Sequence, residues 1–264
     1  MINKLQEIYN QNKPYFKDAF DFVSMEKEAE IKKVLDNIRD LEFDIFDLRQ
    51  KSSGNELFLT IMHLMQSEGF ITEFNISQKK LRNFAYCIQS SYNDVKYHNK
   101  THASDVWQTW YYFMFTWDFN TTANWDRLEQ AWMLLAGVVH DVDHPGFNNL
   151  YMINTKNELA ITYNDWAVLE NYHVATAFRV LLAHSGWDIF ENFKAQDFTK
   201  ARKLIIDFVL STDMARHFGD MNKFKSRVES YTFDAKGEDR KLSSEFLFHM
   251  ADISNPTKPW EICK

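Results

Sequence analysis

Five of the nine histidines fall between residues 98 and 173, inside strings that also carry carboxylates. In YHNKTHASDV, His98 and His102 are spaced i, i+4 where a helical pattern begins, so both imidazoles can face one side of the first turn. In VVHDVDHPG, His140 and Asp141 are adjacent and His144 follows His140 by four, where the apolar run Ala131–Val139 stops. An adjacent His-Asp pair lets one helix end offer a nitrogen and an oxygen to the same cation, and a carboxylate has a second oxygen for another cation. HMADISNPTKP sets Asp252 after an amphipathic stretch and before a proline-stopped turn. Cys87 and Cys263 stand far apart in no paired spacing, so any metal would be held by imidazole and carboxylate rather than by thiolate or beside a disulfide framework. A lone histidine on a helix is usually a surface or packing residue. His63, His184 and His217 are read that way, and His249 as packing or support beside Asp252.

The elements that must position these groups read as helices. Seven glycines and four prolines in 264 residues are about a third of average usage, too few for the turns of a sandwich or the corners of a doubly wound sheet. Apolar residues recur at helical spacing in 57–65, 103–117, 125–139, 166–182, 201–210 and 242–250, and Ser77 is the expected N-cap of a helix carrying Leu81, Phe84 and Ile88. No window shows sustained alternation. The expected class is an all-α, compact multi-helix domain, with polar breaks near 51–55, 93–96, 120–124, 145–149, 185–188 and 236–240. Residues 1–50 form an N-terminal helical layer or connector: the mixed charges of EKEAEIKK suit a solvated face, while Phe43, Ile45, Phe46 and Leu48 are available to dock on the core. Residues 51–264 form the main domain.

With 30 Lys and Arg against 37 Asp and Glu the chain is acidic, which argues against broad nucleic-acid or anionic-membrane binding. Its longest apolar runs fall well short of the ~20 residues that span a bilayer, and the N-terminus has no signal-type apolar stretch, so a cytoplasmic location is expected.

Taken in order, His102, His140–Asp141 and Asp252 resemble the ligand set of the HD superfamily of metal-dependent phosphohydrolases. More specifically, YHNKTHASDV, HDVDHPGFNN, NDWAVLENYH, LSTDMARHF and HMADISNPTKPW closely resemble the successive signature strings of the class I 3′,5′-cyclic nucleotide phosphodiesterase catalytic domain. The likeness runs from about Asn55 onward, and NPTKP looks most like the cAMP-specific phosphodiesterase-4 type.

The resemblance implies an all-helical domain that hydrolyses 3′,5′-cyclic nucleotides, cAMP favoured, to 5′-monophosphates in signal transduction. It implies two divalent cations: zinc at a tight site of His102, His140, Asp141 and Asp252, and magnesium or manganese at a second site sharing Asp141. His144, Glu170, His173 and Thr212 match positions that hold waters or the bridging hydroxide. His98 matches the proton donor to the leaving oxygen, Asn255 a position near the purine, and Tyr97 would line the pocket. Glu170 would orient the His98 imidazole or accept from the hydroxide. An upstream regulatory region or a homodimer is the implied kind of protein partner. Two positions depart from the family pattern: Ala167 stands where Ser is frequent and Tyr172 where a first His is frequent. Family members also continue past the last ligand through helices bearing a glutamine and a phenylalanine that clamp the base. The chain is therefore expected to be C-terminally incomplete, with an apolar face on 242–250 left uncovered. A catalytically impaired metal-binding module and another HD-type phosphohydrolase are the competing expectations.

Overall fold

The computed structural model describes residues 25–263, and every regular element among them is helical. Residues 1–24 of the expected N-terminal layer, and Lys264, lie outside the described residues. The longer helices are α1 (Met25–Leu35), α2 (Ile45–Lys51), α3 (Glu56–Ser67), α4 (Gln78–Ser91), α5 (Lys100–Tyr111), α6 (Arg127–Val139), α7 (Asn149–Asn154), α8 (Glu158–Thr162), α9 (Val168–Ala183), α10 (Ala195–Leu210), α11 (His217–Val228) and α12 (Arg240–Asp252). Single-turn helices occupy Phe70–Glu73, Phe119–Thr122 and Trp260–Cys263.

Local chemistry sets several starts. Ser77 caps α4 as expected, its hydroxyl accepting from Lys80 N at 3.4 Å. Asn99 caps α5, its Oδ1 accepting from Thr101 N and His102 N, so the helix begins three residues earlier than its apolar pattern implies. Asp126 and Glu129 form a capping box on α6, which moves its start from Trp125 to Arg127. At its far end α5 widens into a π-turn over Tyr112–Thr116 instead of running on as a regular helix to Trp117.

The core is organised around α5 and α6, which are buried over Thr101–Tyr111 and Gln130–Val139. A Cβ on Gly137 would lie 3.1 Å from Trp107 Cδ1 and 3.4 Å from Trp107 Cα, so glycine lets the two helices approach closely just before His140. Trp110 ties in two further helices. Its ring lies 5.8 Å from that of Phe208 on α10 and 5.4 Å from that of Phe248 on α12, while its Nε1 donates to Met133 O on α6. The helices that end or begin at residues 102, 140 and 252 are thereby held at one place.

On the N-terminal side, Ile31, Leu35, Phe43, Ile45 and Leu48 are buried in the same core, and Gln108 Nε2 donates to Ile38 O and Asp40 O. Phe46 does not dock as expected. It sits on the outer side of α2 and is 38% exposed, because Ile45 and Leu48 take the inner face. Part of the apolar face of α12 is covered by α11, which the apolar periodicity does not reveal, while Leu242, Leu247 and Met250 stay half-buried. Phe224 of α11 stacks on Phe246 with ring centroids 4.5 Å apart. A small separate cluster of Met152, Ala160, Val168 and Leu169 seats α7 and α8 against the start of α9.

Candidate metal centre and its cavity

His102 enters the site from the first turn of α5, His140 and Asp141 from the end of α6, and Asp252 from the last residue of α12. One ligand atom from each of these four side chains lies within 4.8 Å of the others. His102 Nε2 stands 3.1 Å from Asp252 Oδ1 and 3.4 Å from Asp141 Oδ2, and His140 Nε2 is 3.3 and 3.4 Å from the same two oxygens. His140 Nδ1 donates to Gly137 O at 2.9 Å, which turns Nε2 toward the cluster. This is the arrangement in which the outer nitrogen of a ligating imidazole is held by a carbonyl.

A second group shares Asp141. Its other oxygen, Oδ1, lies 3.7 Å from His173 Nε2, and Asp141, His144 and His173 also bring ligand atoms within 4.8 Å of one another. His173 Nδ1 donates to Val142 O at 2.8 Å, so it too presents Nε2 inward. Asp141 thus turns one oxygen to each group. The resemblance casts His144 and His173 as holders of water; of the two, His173 turns a free Nε2 toward Asp141 and is also a candidate for a second cation, whereas His144 Nδ1 accepts from Gly146 N.

Charge balance in this cluster follows from burial and proximity. Burial opposes a charge on His102, but the hydrogen bonds and charges of Asp141 and Asp252 outweigh it and push the metal-free imidazole up to about 9. His140 is raised by the same carboxylates against the same burial. Burial would raise the two carboxyls, yet the His140 charge and the hydrogen bonds from both histidines hold them well below the usual range. His144 behaves oppositely: burial brings it down to about 3, only partly offset by Asp141, so it is neutral.

A cavity of about 540 Å³ opens over the shared carboxylate. His98, Asp141, His144, Glu170, His173, Thr212 and Asp252 all line it, together with the apolar side chains of Phe147, Leu150 and Met214. The His98 ring stacks on that of His144 with centroids 4.2 Å apart. Glu170 does not pair with His98. Its Oε2 accepts from Asn149 Nδ2 at 2.9 Å, while Asn149 Oδ1 accepts from Leu169 N, a clamp that sequence reading did not single out. Burial, reinforced by Asp213 and Asp141, pushes the Glu170 carboxyl up to about 7. The Thr212 hydroxyl donates to Val209 O, leaving its oxygen as an acceptor.

Tyr97 and Asn255 are not among the residues lining this cavity. They line a neighbouring hollow of about 210 Å³ with Phe46, Arg49 and Cys263, and His102 forms part of its wall. Tyr97 nonetheless lies between the two, its ring 4.9 Å from His98 and 4.7 Å from His102. Behind the hollow, Lys258 donates to Asp105 Oδ1 with both side chains buried, which pins the Asn255–Thr257 turn to α5. His249 pairs with His217 at 2.9 Å, so these two histidines serve the contact of α11 with α12. Asp105 and Lys258 lie in two of the quoted strings, YHNKTHASDV and HMADISNPTKPW, but their pairing across 153 residues is not legible from either string.

The profile of the 3′5′-cyclic nucleotide phosphodiesterase family matches residues 97–264. The chain is similar to a mouse (Mus musculus) high affinity cAMP-specific and IBMX-insensitive 3′,5′-cyclic phosphodiesterase 8A, with 35% identity over 247 residues, 87% of this chain and 30% of that protein. It is 34% identical over 210 residues to a chimpanzee (Pan troglodytes) high affinity cGMP-specific 3′,5′-cyclic phosphodiesterase 9A, covering 80% of this chain and 35% of that one. It is likewise 34% identical over 245 residues to a rat (Rattus norvegicus) 3′,5′-cyclic-AMP phosphodiesterase 4C, covering 90% and 45%. Among solved structures, the crystal structure of the phosphodiesterase domain of the RhoPDE fusion protein from the choanoflagellate Salpingoeca rosetta superposes with a TM-score of 0.75 at 32% identity. That match covers 88% of this chain and 72% of the other. The chain spans less than half the length of these curated relatives.

Proposed function

The chain belongs to the 3′,5′-cyclic nucleotide phosphodiesterase family, and from that premise we propose that it hydrolyses 3′,5′-cyclic nucleotides, cAMP favoured, to 5′-nucleoside monophosphates. One observation carries the reading: Asp141 divides its two oxygens between two ligand groups on the floor of a cavity that His98 also lines.

The donor set fits divalent cations. Imidazole and carboxylate without thiolate suit zinc at His102, His140, Asp141 and Asp252, and a shared carboxylate with room for waters suits magnesium or manganese at Asp141, with His144 and His173 near enough to hold those waters. When bound, such a pair supplies positive charge for the phosphoryl oxygens and lowers the pKa of water toward neutrality.

The chain's own residues account for the proton traffic. The leaving group is a sugar alkoxide and needs a proton, which His98, lining the cavity, would give. Burial lowers the His98 pKa, and an anionic phosphodiester seated beside the ring would act in the opposite sense, favouring the charged donor form. The neutral His144 beneath it adds no competing positive charge. Glu170, at about 7 and engaged by Asn149 rather than His98, suits a proton acceptor on the water side. Thr212 offers an acceptor to a water in the same cavity. Asn255 and Tyr97, in the adjoining hollow, are candidates for the nucleoside end. The cAMP preference rests on the Asn255-Pro256 string, since the similar proteins carry cAMP-specific and cGMP-specific names alike.

The test is product analysis with zinc- and magnesium-loaded protein on cAMP and cGMP. His98→Ala is expected to slow hydrolysis by about 10²–10⁴-fold while metal content stays constant. Metal binding with no turnover of either nucleotide would instead support a regulatory metal-binding module.

A further inference from the structure

We propose that Tyr172 is a positioning residue for hydrolysis: through Asp143 it clamps the loop that presents His144, and His144 in turn seats the proton donor His98. The proposal rests on reading the cavity as that of a cyclic nucleotide hydrolase.

Asp143 has φ of +62°, a left-handed conformation that among residues with a side chain asparagine and aspartate adopt most readily. Both of its carboxylate oxygens are engaged, by different elements. Oδ2 accepts from the Tyr172 hydroxyl of α9 at 2.5 Å, and Oδ1 accepts from Asn93 Nδ2, in the link between α4 and α5, at 2.9 Å. The same Asn93 amide donates to His144 O at 3.0 Å. Hydrogen bonds to an ionised carboxylate are shorter and stronger than neutral ones, so Asp143 can hold the loop.

The loop delivers His144 in one orientation and one tautomer. Gly146 N donates to His144 Nδ1 at 3.0 Å, which leaves the proton of the neutral ring on Nε2. The ring then lies flat between two others, 4.2 Å from His98 and 5.4 Å from His173, each inclined to it by 21°. The His98 ring is packed against three others, edge-on to Tyr97 at 4.9 Å and to His102 at 5.6 Å and stacked on His144 at 4.2 Å, so the His144 face is its nearest support. Tyr172 therefore acts on the proton donor at two removes, offering no ligand atom to either metal group although its ring lies 6.0 Å from that of His173. It also explains how the chain dispenses with the histidine frequent at this position in the family, since a tyrosine hydroxyl supplies the same kind of donor.

The proposal is tested with Tyr172→Phe, which removes the hydroxyl and keeps the ring, on zinc- and magnesium-loaded protein. Misplacing a donor by a fraction of an ångström should lower kcat on cAMP by about tenfold or more, with KM and metal content unchanged. Bis(4-nitrophenyl) phosphate, whose phenolate departs unprotonated, should slow by less than about twofold, a split that a merely structural loss would not produce. Tyr172→His, which restores a donor to Asp143, should recover most of the cAMP rate. Independently of turnover, ¹⁵N-histidine NMR should show His144 as the Nε2–H tautomer in the parent protein, and the Phe variant should shift that signal toward mixed tautomers. Equal slowing of both substrates, or a His144 signal untouched by Tyr172→Phe, would overturn the clamp. If the parent protein hydrolyses no cyclic nucleotide, the functional reading fails by itself while the NMR still decides the clamp.

Discussion

A cation entering the cluster must first displace a proton from His102, and the size of that competition can be worked from the structure. The imidazole is buried between Asp141 Oδ2 and Asp252 Oδ1, which push it up to about 9 against an ordinary value of 6.5. Two pH units separate 7 from 9, so the discharge costs about 3 kcal/mol, on the order of 100-fold in apparent affinity at neutral pH. His140, raised by the same carboxylates, can only steepen the dependence. The assay is calorimetric titration of metal-free protein with Zn²⁺ at pH 6, 7 and 8, each in two buffers of different ionisation enthalpy. At least one proton should leave per tightly bound ion, and affinity should climb about tenfold per pH unit across this range. Asp252→Asn should reduce the proton release, because it removes one of the two charges that hold the proton on His102. A buffer-independent heat together with a flat affinity between pH 6 and 8 would refute the reasoning, since it would mean that the carboxylates do not hold a charged imidazole. The same linkage predicts the stability of the metal-free protein. The contribution of the raised His102 is complete below pH 6.5 and is lost as pH rises through about 9, whereas that of the depressed Asp141 and Asp252 is complete above about 3.8 and is lost in acid. The combined contribution of these three groups should therefore be greatest between about pH 4 and 6.5, while the buried neutral His144 works against it as pH falls below 6.5.

Asp141→Ala should remove most of both cations, as elemental analysis after reconstitution would show, because one carboxylate serves both groups. Full retention of two metals would exclude the shared role. Gly137→Ala should lower stability by about 1–3 kcal/mol in denaturant titration, since its methyl group meets Trp107 at 3.1 Å and α5 and α6 must separate to admit it. Lys258→Met should cost about 3–5 kcal/mol by leaving Asp105 charged, buried and unpaired, and a companion Asp105→Asn change in the same chain should return part of the loss.

The sequence by itself singled out the four side chains that the fold gathers into one cluster. His102, His140, Asp141 and Asp252 are recognisable because the ligand strings keep a fixed order, and the i, i+4 and adjacent spacings are local properties that any helix end expresses. The all-helical class follows equally from scarce glycine and proline and from apolar periodicity. Other features were not legible there. α11 has no buried residue to mark it, and Phe46 differs from its buried neighbours only in the face of α2 that it occupies. The division of Asp141 between two groups, the tie of Glu170 to Asn149 instead of His98, and the placing of Tyr97 and Asn255 in a hollow of their own depend on side-chain directions fixed by contacts across the core. The physical reason is distance along the chain. His102, His140 and Asp252 are brought together by the close approach of α5 and α6 at Gly137 and by the Trp110–Phe248 contact with α12, and such contacts act only once the helices have packed. Residue type and local spacing are written into a single helix, but which oxygen faces which nitrogen is decided by the packing of several.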